Sequence, residues 1–316
     1  MPRARSVGTC ALAAALGAGA LSCRAEEPPL ARFSVAPRAE RVRFVAIGDT
    51  GKSEVGLSKT AERMRAHCAL AGCDFAVLLG DLIYPRGALG DDDPAIERLV
   101  VRPFATLGVP VFGVIGNHDE GGGFYPERAS HLTRLPEGAP RVRRSFSLDA
   151  GPVTVVGVDT AGAMFGRPVA RRAVARALDE AAGFRVAVGH HPRRSRGRHG
   201  DAGAYDGLPS FFPVASGHGV RSLLDDAVCG RADLYLSGHD HSLQWLAGPC
   251  RGTALVVSGA GSEATAVAGE TRAHFAASEL GFVAVDAGAS GARIDLIRHD
   301  GEILYSRVLP ARSSPR

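Results

Sequence analysis

Acidic, amide and imidazole side chains recur along this chain directly after short apolar runs. The runs end in glycine, and a candidate ligand follows that glycine. Two neighbouring divalent or trivalent metal ions need carboxylate, imidazole and carbonyl-type ligands, with one ligand shared between them. The residues that meet this description are Asp49, Asp81, Asn117, His190, His239 and His241.

The joint pattern is more informative than any one of these residues. A single Gly-Asp pair is typical of a turn, and a single histidine after a strand is typical of a satisfied surface or core residue. Here Gly116-Asn117-His118-Asp119 and Gly238-His239-Asp240-His241 are specific tetrapeptides, and they follow two Gly-Asp units in order. The sequence therefore predicts a dinuclear metal site.

The elements that must position these side chains are predicted from apolar runs and from helical spacing. Helices are predicted over 55–71 and 169–182. Because ligands of α/β folds bind at the carboxyl ends of strands, the candidate ligands should converge on one site. The predicted strands span 43–47, 75–79, 109–115, 145–148, 153–158, 185–188, 234–237, 254–257, 281–285 and 292–296.

Composition and charge place the chain among ordinary globular proteins. It has 316 residues, of which 45% are hydrophobic and 22% charged, and its net charge is +4. Such a mild balance argues against a nucleic-acid partner, which usually requires a basic stripe with interleaved aromatic residues. We expect one catalytic domain over residues 40–316, and a monomer.

The N-terminus predicts export. Arg3 and Arg5 precede an apolar stretch that is too short to span a bilayer, so residues 1–22 are typical of a signal peptide. Residues 20–23 also resemble a lipobox, which would make Cys23 a lipidated N-terminus and the only point of membrane contact. Residues 23–39 are interpreted as a linker. The protein is expected to be secreted or periplasmic, or lipid-anchored at the cell envelope.

Export permits disulfides. Four cysteines follow the leader, and four cysteines allow three pairings. Pairing Cys68 with Cys73 and Cys229 with Cys250 is favoured because each pair is close in sequence. A cysteine metal site is disfavoured, since no C-x-x-C pair exists.

The motif blocks resemble those of the calcineurin-like metallophosphoesterase superfamily over essentially residues 41–300. The strongest resemblance is to the purple acid phosphatase branch, especially its small tartrate-resistant type. Tyr84 carries this resemblance, because it lies three residues after Asp81, where that branch places the phenolate that binds ferric iron. A core aromatic residue is the alternative for Tyr84. The resemblance implies an α/β fold with four αββα layers, in which two mixed β-sheets are flanked by helices.

The resemblance also assigns the ligands to two metal ions, Fe(III) and a divalent Fe, Zn or Mn ion. Phenolate and carboxylate ligands suit Fe(III), whereas a neutral amide and imidazoles suit the divalent ion. Asp81 would bridge the two ions. The first ion would be held by Asp49, Asp81, Tyr84 and His241, and the second by Asp81, Asn117, His190 and His239.

Further residues near these blocks are candidates for contact with substrate. His118 would stabilise the phosphate or protonate the leaving alkoxide, and His199 is the second catalytic candidate. His191 stands where the family commonly has Tyr. Arg193 and Arg194 could bind phosphate, or could belong to a solvated basic loop. Asp119 would orient His118, or cap the loop.

The predicted function is hydrolysis of small phosphate monoesters, as an acid phosphatase, by in-line attack of a metal-bound hydroxide at an Fe(III)–M(II) centre. One alternative is a phosphodiesterase or nucleotide hydrolase on the same scaffold. Another, of a different class, is a non-hydrolytic iron-binding or redox protein. The intact ligand set together with His118 favours turnover over binding alone.

Overall fold

The structure is a computed structural model, and it describes residues 27–209, 211–212 and 214–312. The predicted signal peptide and Cys23 lie outside the described residues. Within the described ranges, no helix is long and apolar enough to cross a membrane.

Two mixed β-sheets form the centre of the fold. The strands are β1 (Ala31–Ser34), β2 (Val42–Ile47), β3 (Phe75–Leu78), β4 (Val111–Gly113), β5 (Arg141–Val142), β6 (Phe146–Ala150), β7 (Val153–Gly157), β8 (Phe184–Val188), β9 (Leu234–Ser237), β10 (Leu243–Leu246), β11 (Ala254–Ser258), β12 (Ala273–Ala277), β13 (Gly281–Gly288), β14 (Gly291–Arg298) and β15 (Ile303–Pro310). The first sheet has the order β1-β6-β7-β8-β9-β11-β10-β12, and the second has the order β15-β14-β13-β2-β3-β4-β5.

Side-chain alternation explains why the sheets stack. In β2, Phe44 and Ala46 point into a core shared with the other sheet, whereas Val45 and Ile47 point to the opposite face. A strand that is buried on both faces reads as a continuous apolar run, and all six residues of β2 except Arg43 are buried. The inner core is rich in aromatic rings, such as Phe75 and Phe146.

Helices cover both outer faces. They are α1 (Glu54–Ala71), α2 (Arg102–Ala105), α3 (Ala129–Thr133), α4 (Thr160–Met164), α5 (Arg171–Glu180) and α6 (His218–Ala227). Leu57 and Met64 of α1 pack on the second sheet, while Leu178 of α5 and Leu224 of α6 pack on the first. The predicted fold class, with its four αββα layers, is therefore confirmed.

Parallel pairing directs the carboxyl ends of the central strands to one edge. In the second sheet β2 pairs in parallel with β3, and β3 with β4. In the first sheet β8 pairs in parallel with β9. The loops that carry the candidate ligands follow these strands, so the ends of both sheets contribute side chains to one region.

The structure corrects one sequence interpretation and confirms another. Four residues of the predicted linker over 23–39, Ala31–Ser34, form β1, which pairs in parallel with β6. This part of the segment is therefore an edge strand of the first sheet. Both expected disulfides are present, with Cα–Cα distances of 4.8 Å for Cys68–Cys73 and 5.2 Å for Cys229–Cys250.

The end of α1 gives a stability prediction. Gly72 caps the helix in the left-handed region at φ 77°, and its N–H donates to the carbonyl oxygen of Cys68. A Cβ at Gly72 would meet no atom within 4 Å, so the cost of Gly72→Ala should be conformational alone. We expect a loss of about 1 kcal/mol in the free energy of unfolding, measured by urea titration. Gly72→Asn should cost less than half of this, and equal losses for both variants would contradict the explanation.

Candidate metal centre

Strained turns place three of the candidate ligands. Asp49, Asp81 and His239 all have positive φ, at 58°, 55° and 72°. Non-glycine residues seldom adopt this left-handed region, and such strain is concentrated at functional sites. Each of these residues comes directly after a glycine that follows a strand, so the turn directs the side chain back across the edge of the sheet.

One group of donor atoms surrounds the Tyr84 hydroxyl. This oxygen lies 2.8 Å from Oδ2 of Asp81, 3.0 Å from Oδ1 of Asp49 and 3.0 Å from Nε2 of His241. Nε2 of His241 is also 3.4 Å from Oδ1 of Asp49. These are the four residues predicted for the first ion.

A second group surrounds Nε2 of His190. This nitrogen lies 3.0 Å from Oδ1 of Asn117, 3.3 Å from Oδ2 of Asp81 and 3.3 Å from Nδ1 of His239. The other ring nitrogen of His190 is 2.8 Å from the carbonyl oxygen of Leu79, a contact that directs Nε2 toward the group. The two groups share Oδ2 of Asp81, as a bridging carboxylate requires.

The spacing and chemistry of these donors fit two bound cations. Ligands that lie about 2.1 Å from one metal ion are separated from each other by roughly 3 Å around a coordination polyhedron. Carboxylates, a phenol, an amide and imidazoles are crowded together at this separation and are largely buried. Without a cation, such an arrangement would bring several acceptor oxygens together at a cost in free energy.

The charges in the cluster are strongly coupled. Burial raises the pKa of Asp81, but the effect of nearby His190 in lowering it is larger, so the net pKa is below the ordinary value. Burial lowers the pKa of His190, and Asp81 more than reverses this, raising it to about 9. Burial and the carboxylates of Asp49 and Asp81 hold the pKa of Tyr84 well above its usual range. A bound cation would favour the phenolate instead.

Asp119 organises the loops and does not orient His118. Its carboxylate accepts hydrogen bonds from the backbone N–H groups of Asp81, Leu82, Ile83 and Gly116. His118 instead directs Nδ1 to the carbonyl oxygen of Pro85 at 2.7 Å. Of the two interpretations of Asp119, the structure therefore supports the loop cap, and the orienting contact with His118 is absent.

His118 and His199 both reach the cavity beside the donor groups, which has a volume of about 280 Å³. The ring of His118 stacks on Tyr84, with 4.1 Å between ring centroids. His199 lies over His239, with 4.2 Å between centroids. Nδ1 of His199 is 2.9 Å from Oδ1 of Asp206, which leaves Nε2 of His199 for the cavity.

Arg193 and Arg194 do not line this cavity. Arg193 pairs with Asp225 through two hydrogen bonds of 2.7 and 3.1 Å, and Arg194 contacts the carbonyl oxygen of Gly248. Neither side chain lines the cavity, so the geometry does not support the predicted phosphate contact. The cationic residues that line it are Lys52 and Arg198.

His191 is buried behind the second donor group. One nitrogen each from His190, His191 and His239 lie within 4.8 Å of one another. Nδ1 of His191 is 3.2 Å from the Thr160 hydroxyl, and burial holds the pKa of His191 well below its usual range. His191 also lines a second cavity next to the cluster.

Sequence reasoning missed three residues of the site. Asp206 lies in a single turn at positive φ with no motif around it, so only the fold could reveal its contact with His199. Glu263, whose Oε1 is 3.5 Å from Nδ1 of His241, comes from a loop without any predicted element. Lys52 did carry a signal, because it is one of only two lysines and directly follows the Asp49 block.

Comparison with known proteins agrees with this geometry. Residues 42–243 match the family model described as calcineurin-like phosphoesterase. Purple acid phosphatase 17 from Arabidopsis thaliana is 29% identical over 248 residues, which cover 71% of this chain and 69% of the relative. Tartrate-resistant acid phosphatase type 5 from Rattus norvegicus is 26% identical and covers 91% of this chain and 95% of its own length.

A solved structure supports the same fold. GAP50, described as the anchor in the inner membrane complex of Plasmodium, is similar with a TM-score of 0.67 and 21% identity, over 86% of this chain and 90% of that one. At this identity the likeness shows the fold alone. Four αββα layers with clustered acidic and imidazole donors at the strand ends define a metallophosphoesterase. The chain belongs to the calcineurin-like phosphoesterase family, a family of phosphate-ester hydrolases, as its motif blocks predicted.

The Asp119 contacts predict a specific fault in one variant. In Asp119→Asn an amide nitrogen replaces one carboxylate oxygen and then faces two N–H groups. We expect a loss of about 2–4 kcal/mol in the free energy of unfolding, because two hydrogen bonds are lost in a buried site. The loops of Asp81 and Asn117 should loosen together, so bound metal per chain should also fall. Asp149→Asn is the control and should change neither quantity, because Asp149 is an exposed residue of β6 whose Oδ1 accepts one hydrogen bond, from the N–H of Gly151.

Proposed function

We propose that this chain is an acid phosphatase that hydrolyses small phosphate monoesters at a dinuclear centre of Fe(III) and a divalent Fe, Zn or Mn ion. The single observation that carries the proposal is the position of the Tyr84 hydroxyl, within 3.0 Å of donor atoms of Asp49, Asp81 and His241. A phenolate among carboxylates is a hard anionic donor set that suits a trivalent ion.

The second donor group suits a divalent ion. Asn117, His190 and His239 are neutral donors when they coordinate, and only the shared Asp81 brings negative charge. Imidazole and amide ligands favour Zn, Fe(II) or Mn over a trivalent ion. The difference between the two groups is therefore the reason for proposing two different ions.

The residues around the cluster fit a role in hydrolysis. When bound, the two ions would polarise the ester and supply a nucleophilic water at mildly acidic pH. Lys52 and Arg198 line the same cavity and would attract the phosphate dianion. The backbone N–H of His118 donates to Oδ1 of Asp81 at 2.8 Å, and the side chain of His118 would lie against the phosphate oxygens.

His199 is the residue we assign to protonate the leaving group. In the reaction water adds to phosphorus, the bond between phosphorus and the alcohol oxygen breaks, and that oxygen gains a proton. Nε2 of His199 is free for this step because Nδ1 is held by Asp206. Asp206 would act as a positioning residue, since a carboxylate partner fixes the orientation of a functional imidazole.

Other functions are separable by assay. A phosphodiesterase or nucleotide hydrolase would use the same cluster, and 4-nitrophenyl phosphate against bis(4-nitrophenyl) phosphate distinguishes it from a phosphomonoesterase. Failure of the metal-loaded protein to cleave either ester would favour a non-hydrolytic iron-binding or redox protein. We favour the phosphomonoesterase because the cavity carries two cationic side chains that match a dianion.

Export is part of the proposal. It is supported by the two disulfides, which persist in oxidising compartments, and by the sequence of residues 1–22. Lipidation at Cys23 and plain cleavage near the same place would both deliver the domain outside the cytosol.

The assignment of Tyr84 predicts a colour. Iron-loaded protein should be pink or purple, because tyrosinate bound to Fe(III) absorbs visible light by charge transfer. Tyr84→Phe should bleach this band while the Asp and His donors remain. Tyr305→Phe, in β15, is the matched control and should keep the full band. A colourless wild type that retains two metal ions by elemental analysis would remove the ferric tyrosinate and leave only the wider family.

The two histidines should differ in how their loss depends on the leaving group. 4-Nitrophenolate leaves without protonation, whereas phenolate and alkoxides need an acid. We expect His199→Ala to lower kcat on phenyl phosphate about 10²- to 10⁴-fold and on 4-nitrophenyl phosphate far less. His118→Ala should lower both rates by the same factor, and the exposed His274→Ala should lower neither. The opposite pattern for His118 and His199 would exchange their assignments.

A further inference from the structure

A second cavity of about 540 Å³ opens beside the donor cluster. Its outer walls are apolar and come from three separate segments: the loop after the Asn117 block, the end of α4, and the loop before α6. The side chains that form these walls are Phe124, Met164, Phe165, Leu208 and Val214. The proposed mechanism does not use these apolar walls.

The two cavities meet at the reactive centre. Asn117, His199 and His239 line both of them. Lys52 and Arg198 line only the first, and the apolar side chains line only the second. A phosphate group in the first cavity would therefore direct its ester oxygen past His199 and its alcohol portion into the second.

The loop that carries Phe124 packs closely against Phe165, which also lines the cavity. Gly123 has φ 84°, and a Cβ at this position would lie 2.4 Å from the ring of Phe165. Only glycine allows the loop to lie directly against this ring. The next residue, Phe124, is 84% exposed although it lines the cavity. A large exposed aromatic side chain at a cavity wall gains free energy when an apolar ligand covers it.

We propose that this cavity binds the alcohol portion of the substrate, and that the natural substrates are phosphate monoesters of bulky apolar alcohols, with a ring system or a hydrocarbon chain. This inference rests on the proposed function for the position of the phosphate. Esters of sugars and nucleosides are disfavoured, because hydroxyl groups that lie against Phe124, Phe165 and Leu208 would lose water without gaining hydrogen bonds. Two polar side chains that also line this cavity are already engaged, since Asp206 is hydrogen-bonded to His199 and the Tyr205 hydroxyl donates to the carbonyl oxygen of Pro192.

Phosphonates test the inference without turnover, because their carbon–phosphorus bond is not cleaved. Binding of 1-naphthylphosphonate, decylphosphonate and methylphosphonate to metal-loaded protein would be measured by calorimetry. We expect the two bulky ligands to bind about 30- to 100-fold more tightly than methylphosphonate, as expected for burying roughly 100 Å² of apolar surface. Tighter binding of the naphthyl or of the decyl ligand would show whether the cavity favours ring systems or hydrocarbon chains.

Two exposed phenylalanines provide a matched pair of variants. Phe124→Ala should lower the ratio of bulky to methyl affinity by about tenfold. Phe211 is 74% exposed and does not line the cavity, so Phe211→Ala should leave the ratio within twofold. Since both side chains are mostly in solvent, neither substitution should prevent folding, and thermal melting would verify this.

The outcomes separate this inference from the proposed function. A ratio near one in a protein that hydrolyses 4-nitrophenyl phosphate would overturn the inference and leave the phosphatase assignment intact. An equal fall of the ratio in Phe124→Ala and Phe211→Ala would also overturn it. A high ratio that depends on Phe124, in a protein without hydrolysis, would support the apolar binding site and contradict the catalytic proposal.

Discussion

The buried carboxylate of Asp81 is the interaction on which the rest of the site depends. Its Oδ2 lies between the Tyr84 hydroxyl and Nε2 of His190, while Oδ1 accepts the N–H of His118. A carboxylate removed from water costs several kcal/mol unless charges and hydrogen bonds offset it. The surrounding structure supplies this compensation: Asp119 holds the loop, and Gly116 leaves the space, since a Cβ there would lie 2.1 Å from Oδ1 of Asp81. The loops around Asp81 and the donor cluster therefore depend on the same few residues.

Much of this arrangement could be predicted from the sequence because the governing signals are local. A buried parallel strand is a nearly continuous apolar run, and β2, β3, β8 and β9 all read this way apart from Arg43 in β2 and Arg185 in β8. The glycine and ligand that follow each run are adjacent in sequence, so the ligands and the sheet edge could be predicted together. The disulfide between Cys229 and Cys250 was predictable for a similar reason, since a short separation favours pairing.

Other features depend on neighbours that are distant in sequence. β1 is a short edge strand among prolines, and only its pairing with β6 makes it a strand. Arg193 lies close to His190 and His199 in the chain, but Asp225, on α6, directs its guanidinium away from the cavity. The apolar cavity could not be predicted either, because Phe124, Phe165 and Val214 come from segments that show no periodicity. Proximity in the sequence predicts where backbone turns place residues, but it does not predict where a long side chain points.

The donor atoms come from both sheets, and this division has a consequence for the whole molecule. Asp49, Asp81, Tyr84 and Asn117 follow strands of the second sheet, whereas His190, His239 and His241 follow strands of the first. Metal ions bound by these residues would connect the two stacked sheets. Any ligand that binds only the native state stabilises that state by mass action. The supply of metal in the compartment would then govern how long the protein survives proteolysis, as well as how fast it works. Scarcity of the metal would therefore lower the amount of the protein as well as its activity.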